Sequence, residues 1–194
     1  MKRTVIFTIA ALLGLVFSCQ KDSLTGFSNE EAGWRYGGDE PFRGAPRMEA
    51  IEMDYVLSRV EALPNTFETR KPPKGAKVRM YGMQGNVTFL GGLDPGMSYE
   101  VHYLPPDKNP VKDTFDVWVE GVFLGSTDHY CLRYWGECRY YPEGRREPRY
   151  EFTGGTGPFE HTFGWVTGLG HGDAEGQLMK FEAAGKISMP PLEN

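Results

Sequence analysis

From Ala76 onward, apolar and polar residues alternate in short runs separated by strong turn formers. Met97–Leu104 (MSYEVHYL) places Tyr99, Val101 and Tyr103 on one side, so His102 faces the other way. Thr114–Leu124 (TFDVWVEGVFL) places Phe115, Val117 and Val119 on one face and Trp118 on the opposite one. Lys77–Thr88, His129–Tyr141, Arg149–Thr153, Phe159–Thr167 and Leu178–Met189 carry similar strand signals. Between them lie Leu93-Asp94-Pro95-Gly96, Pro105-Pro106-Asp107, Pro142-Glu143-Gly144 and the glycine-rich segment Gly168–Gly176. Many short strands on regular spacing predict an all-β sandwich or closed barrel.

Residues 47–63 (RMEAIEMDYVLSRVEAL) fit two periods. Ile51, Met53, Tyr55 and Leu57 alternate as on a strand, whereas Met48, Ile51, Tyr55 and Val60 share a helical face. The β-branched and aromatic content favours the strand. Pro64–Gly75 reads as a connection, because Pro72-Pro73 excludes regular structure there.

The N-terminus has a different pattern. Lys2 and Arg3 precede the apolar run Thr4–Phe17, and Ser18-Cys19 closes it. This is the layout of a secretory signal peptide, with a run too short to span a bilayer. Val16-Phe17-Ser18-Cys19 resembles a bacterial lipobox, whose cysteine is acylated and becomes the mature N-terminus. Phe17 stands where such a motif carries a small residue. The expected organisation is a lipoprotein signal peptide over 1–18, a flexible tether over 19–40 and a β-barrel domain over 41–194. Gln20-Lys21-Asp22-Ser23 resembles the short charged signals that send some lipoproteins to the outer face of the outer membrane. Outer-membrane anchoring through Cys19, displayed at the cell surface, is therefore expected.

Removing residues 1–18 takes two basic residues with it, so the net charge moves from −5 to −7. An acidic chain is a poor partner for nucleic acid. The two cysteines that remain, Cys131 and Cys138, form an even pair for an oxidising compartment. A two-residue turn at Tyr134-Trp135 within HYCLRYWGECRYY would set them opposite each other in a hairpin, at disulfide distance. Free thiols, or a metal site drawn from His129, Cys131 and Cys138, are the alternatives.

Glu151-Phe152-Thr153-Gly154-Gly155-Thr156-Gly157-Pro158-Phe159, followed by Gly164, resembles the GGTG-x-F signature of bacterial relatives of the allene oxide cyclase and dirigent-type barrels. Gly85-Asn86-Val87-Thr88-Phe89-Leu90-Gly91 is similar to a second element of those lipoproteins, GNATHLG, with Phe89 in place of its histidine. Phe181–Ser188 resembles their closing strand. The likeness covers about residues 76–189. It implies a single antiparallel up-and-down barrel of about eight strands, in which Gly154, Gly155 and Gly157 form a structural turn and Phe159 points inward.

Signatures for hydrolase, metalloprotease or nucleotide-binding chemistry are absent from the sequence. Gly154–Gly157 lacks the lysine and helix of a phosphate loop. His171, Asp173 and Glu175 lack calcium-loop spacing. No cofactor, metal or catalytic residue is assigned. Tyr130, Arg133, Tyr134, Trp135 and Tyr140 crowd the proposed hairpin and form a candidate binding rim. The resulting reading is a membrane-anchored lipoprotein with a β-barrel binding or interaction module. Its candidate partners are the bilayer, a small apolar ligand, a glycan or another protein, and not nucleic acid. The alternative is a cyclase- or isomerase-like barrel enzyme acting on a small apolar substrate.

Overall fold

The computed structural model describes residues 46–63, 71–173 and 175–189. The signal peptide, Cys19 and the tether lie outside them. Nine strands follow in chain order: β1 (Arg47–Val60), β2 (Lys77–Val87), β3 (Gly91–Gly92), β4 (Tyr99–Leu104), β5 (Phe115–Leu124), β6 (Cys131–Tyr140), β7 (Arg145–Gly155), β8 (Gly164–Gly172) and β9 (Leu178–Met189). Apart from the two-residue β3, each strand pairs antiparallel with its neighbours in the chain, and β1 pairs with both β9 and β2. That last pairing closes the sheet. The protein is an eight-stranded up-and-down antiparallel barrel with no free edge.

The ambiguity over residues 47–63 resolves as strand. Ile51, Met53, Tyr55 and Leu57 are buried in the barrel while Glu52 and Asp54 are exposed. The alternation on β5 holds as well, with Phe115, Val117 and Val119 inside and Trp118 outside. β4 is different, because all six of its residues are buried. Glu100, His102 and Leu104 face the lumen. Tyr99 faces outward and packs in a small second cluster with Val122 and Cys131, against Leu63.

Two readings are corrected here. Cys131 and Cys138 do not meet across a hairpin, because Tyr134-Trp135 lies in the middle of a single strand. Seven residues of strand separate the cysteines by about 23 Å, far beyond the roughly 7 Å between Cα atoms that a disulfide spans. The two are not bridged to each other; Cys131 points outward and Cys138 into the lumen. Turn formation at Tyr134-Trp135 required unfavourable turn residues, whereas Leu132, Tyr134, Cys138 and Tyr140 on one face suit a continuous half-buried strand. The second correction concerns Gly168–Gly176. Its first half is not a loop but the end of β8. A Cβ on Gly170 would stand 2.4 Å from the Phe181 ring, and one on Gly168 2.2 Å from a backbone oxygen of β9. Glycine is used here for close approach inside a strand, and not for a turn.

Between β7 and β8 runs the Gly154–Phe159 corner, which ends in the 3-10 turn Gly157–Phe159. Gly154 has φ 106° and Gly157 φ 59°. Opposite Arg133, β7 carries one extra residue, a bulge at Thr153-Gly154. The bend lets Phe159 fold back into the core, where it is 1% exposed.

Candidate functional site

The middle of the lumen is polar. Glu100 on β4 is fully buried, and the sheet register explains how its carboxylate is reached. Glu100 pairs with Gly121 on β5, and Gly121 pairs with Tyr134 on β6. Because Gly121 has no side chain, the Tyr134 ring lies across it and its hydroxyl donates to Glu100 Oε2 at 2.5 Å. A Cβ at position 121 would stand 2.3 Å from that hydroxyl. Tyr150 on β7, stacked on Tyr134 with ring centroids 4.8 Å apart, donates to Glu100 Oε1 at 3.2 Å.

His102 lies two residues along the same strand, so it shares the inward face. Its Nε2 contacts Glu100 Oε1, and its Nδ1 is 2.5 Å from the Tyr140 hydroxyl. One proton assignment satisfies every member: Tyr140 O–H donates to Nδ1, and Nε2–H donates to the carboxylate. Tyr81 packs on the imidazole at 4.8 Å between ring centres, and its hydroxyl donates to the Gly176 carbonyl. Glu100, His102, Tyr81 and Tyr140 are all 0% exposed.

Burial pushes the hydroxyls of Tyr55, Tyr134, Tyr140 and Tyr150 well above the ordinary tyrosine range. The Glu100 carboxylate raises those of Tyr55, Tyr134 and Tyr150 further. The Cys138 thiol is raised by the same two causes, burial first. All four phenols are therefore neutral at pH 7, and two of them, Tyr134 and Tyr150, donate to Glu100. Together, Glu100, His102 and Tyr140 form a hydrogen-bonded chain, able to present or accept a proton at the tyrosine end in a dry interior.

The expected binding rim divides along the pleat of β6. Tyr134 and Tyr140 point into the lumen and belong to this cluster. Trp135 points outward and stacks on Trp118 at 5.6 Å with ring planes 3° apart, and Arg133 shares its outer face. Tyr130 precedes the strand and is 40% exposed. The rim as a single surface is thus corrected to two faces of one strand, because the hairpin that would have gathered it does not form. Gly154, Gly155, Gly157 and Phe159 lie in the β7–β8 corner, away from the polar cluster. The described residues hold no group of three or more histidine, cysteine or acidic side chains arranged to bind a metal.

Sequence reasoning did not single out Glu100 or Tyr150. It noted His102 but could not say which face of β4 was inside, because the other face carries Tyr99, Val101 and Tyr103 and is buried too. A usable signal was present: a carboxylate and an imidazole two residues apart necessarily share one face of a strand.

Fold and site together define an antiparallel barrel with a buried acid–imidazole–phenol cluster in its lumen. No protein-family description matches this sequence, and no curated protein matches it. Among solved structures, a pterocarpan synthase dirigent protein is similar, with a TM-score of 0.45 and 11% identity, covering 81% of this chain and 96% of that one.

Proposed function

We propose that this protein is a bacterial lipoprotein, anchored through acylated Cys19 in the outer membrane and displayed at the cell surface. Its barrel binds a small polar molecule at the Glu100–His102–Tyr134–Tyr140–Tyr150 cluster. The observation that carries the binding reading is the Glu100 carboxylate, fully buried and held by an imidazole and two phenols. Burying such a group costs several kcal/mol before its partners compensate, and an apolar core of the same volume would be at least as stable. A barrel that needed only to fold would have little use for it, whereas binding and catalytic sites are where such groups gather. The polar lumen supports a polar ligand rather than an apolar one.

Native mass spectrometry of the full-length protein, extracted in detergent from cells that make it, tests the binding. A co-purifying small molecule is expected on wild type and lost in Glu100→Gln. Wild-type protein free of any such mass would end the reading. The anchor is tested apart from it: Cys19→Ala should abolish acyl labelling and release the protein from membranes, and unchanged retention would refute it.

The Glu100–His102–Tyr140 chain supports a second reading, proton transfer to the bound molecule in the manner of an isomerase. In D2O the recovered molecule should then gain deuterium at carbon with wild type and not with His102→Gln. Equal labelling with both proteins would exclude it.

A further inference from the structure

The outer wall of the barrel carries a row of tryptophans that takes no part in the lumen. Trp118 on β5, Trp135 on β6 and Trp165 on β8 all face outward. Trp118 is 47% exposed and Trp165 49%, while Trp135 is half-buried. The ladder sets them in line. Trp135 pairs with Glu151 on β7, and Glu151 pairs with Trp165, so one carboxylate stands between two indoles on a line across three strands. Two strand spacings place those tryptophan positions about 10 Å apart. Trp118 stacks on Trp135 with ring planes 3° apart. The stack covers one face of each ring, so the exposed half of Trp118 includes its opposite face. Charges of both signs edge the row. Glu137 and Arg149, paired across β6 and β7, are the next outward positions on one side. Arg133 lies beyond Trp135 on the other side, and Lys186 pairs with Trp165. Glu137, Arg149 and Glu151 are exposed and form no ion pair among the described residues.

We propose that this row is a platform for a neutral oligosaccharide lying across β5 to β8. A pyranose with equatorial hydroxyls has apolar C–H faces and a polar edge. Its faces stack on indole and remove apolar surface from water, while its hydroxyls bond to the carboxylates and guanidinium groups beside the rings. The spacing of the rings lets separate units of one sugar chain engage them together, so each further contact is made intramolecularly. Size and charge select this occupant. From Trp118 to Trp165 the row crosses three strand spacings, about 14 Å, and is one ring wide. That is far below the roughly 800 Å² that each partner gives to a stable protein interface. A membrane surface would have to desolvate the interleaved Glu137, Arg149 and Glu151. An organic cation, the other guest that suits indole and carboxylate, would meet Arg133, Arg149 and Lys186 beside the row. A neutral polyhydroxylated chain meets no such opposition, and it uses charges of both signs as acceptors and donors.

The test is titration calorimetry of the full-length protein, in a detergent without a sugar headgroup, with cellopentaose, chitopentaose, glucose and tetramethylammonium. At least one pentasaccharide is expected to bind, at least about tenfold more tightly than glucose, which covers a single ring. Trp118→Ala and Trp165→Ala each remove a half-exposed ring. Each should weaken the pentasaccharide at least fivefold and leave the melting temperature near wild type. Binding that neither substitution changes would place the sugar elsewhere and overturn the platform. Dependence on only one of the two tryptophans would overturn a site that spans β5 to β8. Tetramethylammonium binding more tightly than either pentasaccharide would overturn the proposal in favour of an organic cation. Absence of binding by both pentasaccharides would overturn it outright. Lumen binding is judged separately, by the co-purified molecule and its loss in Glu100→Gln, because the lumen and the platform lie on opposite faces of the sheet.

Discussion

At the residue scale, position 121 controls the site most directly. Its missing side chain is the space through which Tyr134 reaches Glu100. Gly121→Ala should therefore displace the Tyr134 ring and destabilise the fold by about 1–3 kcal/mol through overpacking. Urea denaturation beside wild type measures this; an unchanged midpoint would show that the ring has room elsewhere. The cysteines give a second prediction. Cys131 is 1% exposed and Cys138 0%, and burial holds the Cys138 thiol well above its ordinary range. Neither should react with a thiol reagent in the native state, and both should react after unfolding without any reductant. A requirement for reductant would mean that the thiols are joined.

At the element scale, the Gly154–Phe159 corner links β7 to β8 by a bulge and a short 3-10 turn. Its glycines and its aromatic residue act by different means. Gly157, with φ 59°, is intrinsically suited to glycine, and a Cβ there would also stand 2.4 Å from the Tyr130 ring. Gly157→Ala should cost about 1–2 kcal/mol, since the exposed Tyr130 ring can move aside. Phe159→Ala removes a ring that is 1% exposed and should cost roughly 3–5 kcal/mol. Thermal melts of the two variants should rank in that order. Equal shifts would place backbone strain on a par with core packing at this corner.

At the scale of the whole molecule, the lumen gives the barrel a distinctive dependence on alkaline pH. Burial raises Tyr55, Tyr81, Tyr134, Tyr140 and Tyr150 above the free value of 10.0. A group whose folded value is raised contributes stability that is complete below its unfolded value and lost as the pH rises through the folded one. Stability should accordingly hold to about pH 9 and fall steeply above pH 10, by up to about 1.4 kcal/mol per pH unit for each phenol. Tyrosinate absorbance should rise in two stages, the exposed phenols first and the lumen set only on unfolding. A single smooth titration of all ten tyrosines near pH 10 would contradict the buried cluster.

The sequence by itself determined the strand class, most strand positions and the turns between them. Alternation on β5, and the proline and glycine punctuation around β4 and β7, are local properties that a short stretch of chain already contains. The inward Phe159 and the corner glycines around it came instead from the resemblance of Glu151–Phe159 to the GGTG-x-F signature. Only the tertiary structure decided what the lumen contains. Inside and outside are not defined until β1 pairs with β2 and closes the barrel, and β4, buried on both faces, turns its polar side, Glu100 and His102, inward. The junction of Glu100 with Tyr134 across Gly121 and the contact of His102 with Tyr140 across the lumen depend on register and closure. Those quantities are set by pairings between distant residues, and a local pattern of apolar and polar positions does not encode them.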